Sequence, residues 1–180
     1  SILYILIMIK IMDYTKKSIL SVDDFSKEEI FSLFELTSKY KADGSSVDRF
    51  SKGKILLTAF FEVSTRTRLS FESAALRNDM KVLSIVDPMY TSIAKGESLE
   101  DIGHMLNSYA DVVVIRHGNF KSYESLRSSI SIPLINAGNG SQEHPTQALT
   151  DWFTLGEWCP ALVYGSLTAG KKIHLGIVGI

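Results

Sequence analysis

The chain has 180 residues, 45% hydrophobic and 22% charged, the makeup of one good globular domain or two small ones, which excludes a disordered tail, a collagenous repeat and a coiled coil. Its formal net charge of −1 removes the electrostatic basis for binding nucleic acid or an acidic membrane, so any basic residue that matters acts locally. The single cysteine, Cys159, rules out an internal disulfide framework and a cysteine-based zinc cluster, and fits a reducing, cytoplasmic compartment.

Residues 1–12 (SILYILIMIKIM) are the one strongly biased stretch. The unbroken apolar run from Ile2 to Ile9 is far short of the ~20 residues a membrane-spanning helix needs. No basic start or small-residue cleavage site accompanies it, as a secretory signal would require. The segment is expected to lie outside the domain as an apolar leader; the alternative is an added edge strand.

Ser26 and Glu29 form the S-x-x-E capping-box pattern, and Ile30, Leu33, Phe34 and Thr37 follow at helical spacing, which predicts a helix to about Tyr40. After a polar loop over 41–53 come four short runs rich in β-branched and apolar residues: Lys54 to Phe61, Lys81 to Asp87, Asp111 to His117 and Ile132 to Ala137. Each reads as a strand. Helix signals fill the gaps, over Thr65 to Met80, Ser98 to Tyr109 and Phe120 to Ser129, and a last helix opens at Pro145 and runs to Trp158.

Strands alternating with helices mean βαβ units, and nearly continuous apolar strands mean a parallel sheet covered on both faces. The expected fold is therefore α/β, an open parallel sheet with helices on both faces. Residues 13–160 form its domain. A fifth apolar run, Lys172 to Ile180, reads as the opening strand of a second α/β unit, with 161–180 serving as linker and first strand.

In open parallel sheets the ligand sits beyond the carboxyl ends of the strands. The segments just past the four strands are 62–68 (EVSTRTR), 89–97 (MYTSIAKGE), Arg116-His117 and 138–147 (GNGSQEHPTQ). All are rich in Ser, Thr, Arg, Lys, His and Gln.

The sharpest is Ser64-Thr65-Arg66-Thr67-Arg68. A Ser or Thr at a helix start caps free backbone N–H groups, and such an N-terminus with hydroxyls and an Arg fork supplies what a phosphate dianion needs. The plain alternative is a capped helix with solvent-facing arginines. His144 falls at or near an N-cap with Gln147 one turn on, a pair suited to orienting a carbonyl-bearing ligand, or to a structural role only. Arg116, ending the third strand, is expected to approach His144. Lys95, beside Gly96, is either a mobile cation or a solvated side chain.

No G-x-x-x-x-G-K-[ST] or G-x-G-x-x-G occurs, so neither a Walker loop nor a nicotinamide cofactor has a fingerprint. His104, His117, His144 and His174 lack metal-ligand spacing. Cys159 reads as a packing residue, and Asn139-Gly140-Ser141 as a chance glycosylation sequon.

Together, Ser64 to Glu72 (STRTRLSFE), Lys95 to Ser98 (KGES), Val114 to His117 (VIRH) and Gly140 to Gln147 (GSQEHPTQ) resemble the carbamoyl-phosphate half of the aspartate carbamoyltransferase catalytic chains. The resemblance extends over roughly Asp13 to Ile180. The S-T-R-T-R and H-P-x-Q elements are shared with ornithine carbamoyltransferases; the K-G-E-S-L-x-D loop and G-S-Q-E-H-P-T-Q resemble the aspartate branch.

The resemblance implies a transferase of pyrimidine biosynthesis that joins carbamoyl phosphate to L-aspartate with no metal or organic cofactor. It implies that Ser64, Thr65, Arg66 and Thr67 hold the phosphate. Thr67, Arg116 and His144 would polarise the carbonyl oxygen, and Gln147 would bind the carbamoyl amide. Lys95 and a residue near Ser92 would reach a neighbouring subunit's site in a homotrimer, with regulatory chains as further partners.

Gly118 and Asn139 depart from the family pattern, where Pro and Asp are usual. The arginines that grip aspartate would belong to a second domain beyond Ile180. This chain alone is thus expected to bind carbamoyl phosphate without turnover, as a piece of a longer protein. The remaining alternatives are an ornithine-type domain and a non-catalytic anion-binding or assembly module.

Overall fold

The computed structural model describes residues 18–43, 51–86, 96–161, 174 and 176. The 1–12 leader, the Ser92–Lys95 stretch and, apart from His174 and Gly176, the expected fifth strand lie outside them.

After a short 3-10 turn over Val22–Asp24, the elements run α1 (Lys27–Ala42), β1 (Ile55–Phe60), α2 (Thr65–Arg77), β2 (Lys81–Ile85), α3 (Leu99–Leu106), β3 (Val112–Arg116), α4 (Phe120–Ser128), β4 (Leu134–Asn136) and α5 (Pro145–Trp158). The capping box at α1 forms as its spacing predicts. Ser26 Oγ accepts the Glu29 N–H at 3.2 Å, and the Glu29 carboxylate accepts the Ser26 N–H at 2.7 Å. Two orphan donors at the helix start are thereby satisfied.

The strands form one parallel sheet in the order β2-β1-β3-β4. Strand periodicity splits the apolar residues between two faces. Leu56, Phe60, Val112 and Val114 pack with Phe34 of α1, Phe71, Ala74 and Ala75 of α2, and Leu149 and Phe153 of α5. Leu57, Ala59, Val113 and Ile115 pack on the opposite side with Ile102 and Leu106 of α3 and Tyr123 and Leu126 of α4. The Phe34 ring meets Trp152 and Phe153 edge-on at 5.7 and 5.5 Å, tying α1 to α5; such pairs add ~0.5–1.5 kcal/mol each beyond area burial.

The α/β sandwich agrees with expectation, with three local corrections. β2 is an edge strand with Leu83 43% exposed, so the sheet is not covered on both faces there. α3 stops at Leu106, short of Tyr109, which is 57% exposed. The chain turns there because Asn107 is pinned: its side-chain amide donates to Ser129 O and accepts the Ser131 N–H, both at 2.9 Å. β4 begins only after Pro133, which has no N–H for the ladder.

Residue 19 extends the sheet. Ile19 N–H donates to Leu134 O and Asn136 N–H donates to Ile19 O, both at 2.8 Å. The Asn136 side chain also donates to Leu20 O at 2.9 Å.

β1 and β3 are neighbours, yet α2, which follows β1, and α4, which follows β3, lie on opposite faces. The crevice beyond their carboxyl ends is a topological switch point, where the chain leaves in two directions and opens a gap.

Candidate functional site

The ladder continues past the strand ends and gathers the loops. Phe61 N–H donates to Arg116 O at 2.8 Å, and His117 N–H donates to Gly138 O at 3.1 Å. Beyond them lies a cleft of about 720 Å³ lined by Val63, Ser64, Thr65, Arg66, Thr67, Ser70, Arg116, His144, Thr146, Gln147 and Thr150. Seven of the eight residues singled out from sequence therefore share one space. The eighth, Lys95, lies outside the described residues.

Two helix starts face this cleft, and both lack a side-chain cap. Ser64 and His144 occupy the N-cap positions of α2 and α5 without bonding a backbone N–H. Ser26, Ser98 and Asn119 cap α1, α3 and α4 in the usual way. The expectation that a Ser or Thr caps this helix start is thus corrected: Ser64, at φ −158° and ψ 84°, makes no side-chain cap bond. The N–H groups of Thr65, Arg66 and Thr67 have no intrahelical acceptor. With the positive end of the helix dipole they form an anion cradle, flanked by hydroxyls and the exposed Arg66.

Arg116 enters from the end of β3. Its Nη2 lies 3.1 Å from Glu62 Oε1, and its Nη1 donates to Ala137 O at 3.3 Å. Its Nε is buried with no hydrogen-bond partner among the described residues. His144 comes alongside across Gly138. A Cβ placed on that glycine would lie 3.0 Å from Arg116 Nη1 and 3.4 Å from His144 Cδ2. Gly138 has φ +117°, a backbone region that side chains disfavour. The second loop glycine, Gly140, at φ +69°, passes so close to Gly118 that a Cβ would fall 2.5 Å from its carbonyl oxygen. Arg116 thus approaches His144 as expected, and glycines make room for it.

Burial pushes the His144 imidazole below the usual histidine value, and the Arg116 guanidinium beside it pushes the same way. A neutral ring offers one N–H donor without a further charge. His117, next to Arg116, is also held low by burial, partly offset by the Glu62 carboxylate. Its Nδ1 accepts the Asn119 N–H at 3.0 Å.

Gln147 Nε2 donates to Asp151 Oδ1 at 2.8 Å. A carboxylate only accepts, so this bond fixes the amide and leaves Gln147 Oε1 as the acceptor on offer. Thr146 Oγ1 lies 3.4 Å from His144 Nδ1.

Glu62, Gly138, Thr146 and Asp151 belong to the site and were not singled out from sequence. Asp151, one turn after Gln147, shares its face of α5, so helical periodicity could have flagged it; Glu62, Gly138 and Thr146 carry no such signal. Among the described residues no group of three or more His, Cys, Asp or Glu is placed to hold a metal ion. Among them, too, no helix is long and apolar enough to cross a membrane. Chemically the cleft gathers hydroxyls, two arginines, a histidine and the free N–H groups of a helix start, with Gln147 beside them.

Comparison with known proteins points the same way. The profile of the family described as aspartate/ornithine carbamoyltransferase, carbamoyl-P binding domain, matches residues 17–157. The chain is 40% identical over 164 residues to the aspartate carbamoyltransferase catalytic subunit of Clostridium perfringens, covering 88% of this chain and 53% of that protein. It is 47% identical over 140 residues to the corresponding subunit of Sulfurisphaera tokodaii, covering 77% and 46%. The chain thus spans about half the length of the curated relatives it matches.

Among solved structures, aspartate transcarbamoylase from Trypanosoma cruzi in complex with carbamoyl phosphate and aspartate superposes with a TM-score of 0.71 at 40% identity, over 78% of this chain and 47% of that one. The same enzyme with carbamoyl phosphate alone gives 0.72 at 38%, over 78% and 46%. By sequence and by fold, the chain belongs to the aspartate/ornithine carbamoyltransferase family, within the carbamoyl-phosphate-binding domain.

Proposed function

We propose that this chain is the carbamoyl phosphate-binding half of an aspartate carbamoyltransferase. The parent enzyme would convert carbamoyl phosphate and L-aspartate to N-carbamoyl-L-aspartate and phosphate, in the route to pyrimidines. The observation that carries the reading is the convergence of the uncapped start of α2 with Arg116 and His144 in one cleft. The aspartate branch is favoured over the ornithine branch because the relatives compared are named aspartate carbamoyltransferases.

In this reading Ser64, Thr65, Arg66 and Thr67 hold the phosphate. Thr67, Arg116 and His144 donate to the carbonyl oxygen. Gln147 Oε1, held outward by Asp151, accepts from the carbamoyl amide. The amine of aspartate forms the new C–N bond, the C–O bond to phosphate breaks, and phosphate leaves with that electron pair and takes up the proton that the amine loses. Negative charge grows on the carbonyl oxygen, where fixed donors stabilise it, and Arg66 offsets the charge of the departing phosphate. Positioning and electrostatics account for the catalysis.

Residues 13–160 make up the carbamoyl-phosphate unit, and residues 161–180 lead toward the part that grips aspartate. By itself this stretch binds carbamoyl phosphate without turning it over. The parent acts as a homotrimer in the cytoplasm, with Lys95 reaching a neighbouring subunit's cleft and regulatory chains as further partners. Supporting the homotrimer, Leu69 and Leu76, two turns apart on α2, are 52% and 61% exposed.

Calorimetry with carbamoyl phosphate or a phosphonacetyl analogue tests the reading. Binding is expected to vanish in Arg66→Ala and to weaken in His144→Ala. An Arg66→Ala variant that binds as tightly as the parent rejects it.

A further inference from the structure

Thr58 stands at the centre of β1, fully buried on the face that carries Leu56 and Phe60, where a β-branched apolar residue would pack best. Its hydroxyl therefore needs a partner. It finds one in Glu72, on the sheet-facing side of α2: Thr58 Oγ1 lies 3.0 Å from Glu72 Oε1. Ser84 of β2 lies 2.7 Å from the same carboxylate oxygen.

Each hydroxyl has one proton and the carboxylate only accepts. The Glu72 oxygen is the nearest acceptor to both hydroxyls; Thr58 Oγ1 also lies 3.2 Å from Ser84 Oγ and 3.5 Å from Leu83 O. Arg68, one turn earlier on α2, has its Nε 3.9 Å from the same oxygen, and the Glu72 side chain is 18% exposed.

We infer that Glu72 is a positioning residue for the anion cleft. It fastens α2 to β1 and β2 and thereby sets where the N–H groups of Thr65, Arg66 and Thr67 stand. The rest of the α2 contact is made by Phe71, Ala74 and Ala75. Apolar contacts of that kind are non-directional and tolerate small axial shifts. Two hydroxyl bonds converging on one oxygen from different strands do not, because their strength falls steeply with distance and angle.

The same carboxylate divides the labour of the two arginines. Arg68 is drawn toward Glu72 and is absent from the cleft lining, whereas Arg66 lines the cleft. The consequence for affinity rests on the carbamoyl-phosphate reading; the placement of the helix does not.

The test compares Glu72→Ala, Glu72→Gln and Leu126→Ala, the last a fully buried residue on the opposite face of the sheet. In ligand-free protein, amide NMR signals of Thr65, Arg66 and Thr67 are expected to shift in Glu72→Ala and to stay near the parent positions in Glu72→Gln, whose amide oxygen still accepts both hydroxyls. Leu126→Ala is expected to lower the melting temperature without moving those signals.

Calorimetry with inorganic phosphate and carbamoyl phosphate, well below each melting point, is expected to give about tenfold weaker binding for Glu72→Ala and near-parent binding for Glu72→Gln. Unmoved amides in Glu72→Ala, or Glu72→Gln behaving like Glu72→Ala, would overturn the inference. A parent that binds neither ligand counts against the carbamoyl-phosphate reading, and the amide comparison still decides the role of Glu72.

Discussion

Arg116 and Glu62 are paired at 3.1 Å across the ends of two neighbouring strands, so the guanidinium that faces the cleft is partly neutralised in the ligand-free protein. An incoming anion meets both a donor and the carboxylate already using it. Glu62→Gln is therefore expected to tighten inorganic phosphate binding roughly fivefold at low ionic strength, the scale of removing one screened unit charge beside a dianion. The gain should shrink as salt is added. Calorimetry at two ionic strengths checks this; weaker binding in the variant would mean that Glu62 orients Arg116 and does not compete for it.

The imidazoles give a pH signature. His144 and His117 are both held below 6.5 in the folded chain, by burial first. The unfolded chain thus binds protons more readily. The stability they contribute is complete above about 6.5 and is lost as pH falls from there through their folded values. NMR titration is expected to place His144 below 6.5 and to move it upward, toward but not to that value, in Arg116→Ala. Urea midpoints should fall on acidification over the same window.

Two serines at helix starts should behave oppositely. Ser26 caps α1 and Ser64 caps nothing. Ser26→Ala is expected to cost about 1 kcal/mol of stability and to leave phosphate affinity unchanged. Ser64→Ala should leave the ligand-free melting temperature near the parent's while weakening phosphate binding. Thermal melts with and without phosphate separate the two.

Gly138 is the glycine at which a single added carbon would meet both Arg116 and His144. Gly138→Ala combines a side chain at φ +117° with a Cβ 3.0 Å from Arg116 Nη1. It should cost about 1–3 kcal/mol of stability and push Arg116 away from His144. The expected readout is a lower urea midpoint together with weaker phosphate binding; unchanged affinity would show that the guanidinium can be displaced without loss.

What sequence revealed and what it hid follow from the range of the interactions. The Ser26 capping box, Pro145 at the first turn of α5 and the alternating strands are local devices, and each appeared where its spacing put it. The convergence of 64–67, 116 and 144–147 was legible because parallel strands bring their carboxyl ends to one edge. Glu62 and Glu72 escaped notice because their partners are distant: Arg116 is 54 positions from Glu62, and Ser84 lies on another strand. Nothing periodic marks such pairs. The uncapped state of Ser64 was hidden too, since Ser at a helix start usually caps and only its ψ of 84° shows that this one does not.

The stitching of residues 19–21 to the far end of the unit bears on how the chain acquires its ligand. Leu20 O takes its bond from Asn136, 116 positions away, and Ser21 reaches Glu143, immediately before His144. Closing so wide a loop is entropically slow and happens only once nearly the whole unit has been synthesised. A nascent or half-folded chain would then be blind to phosphate, and uptake of that ion would report, in a refolding experiment, the moment at which residues 19–21 and β4 have found each other.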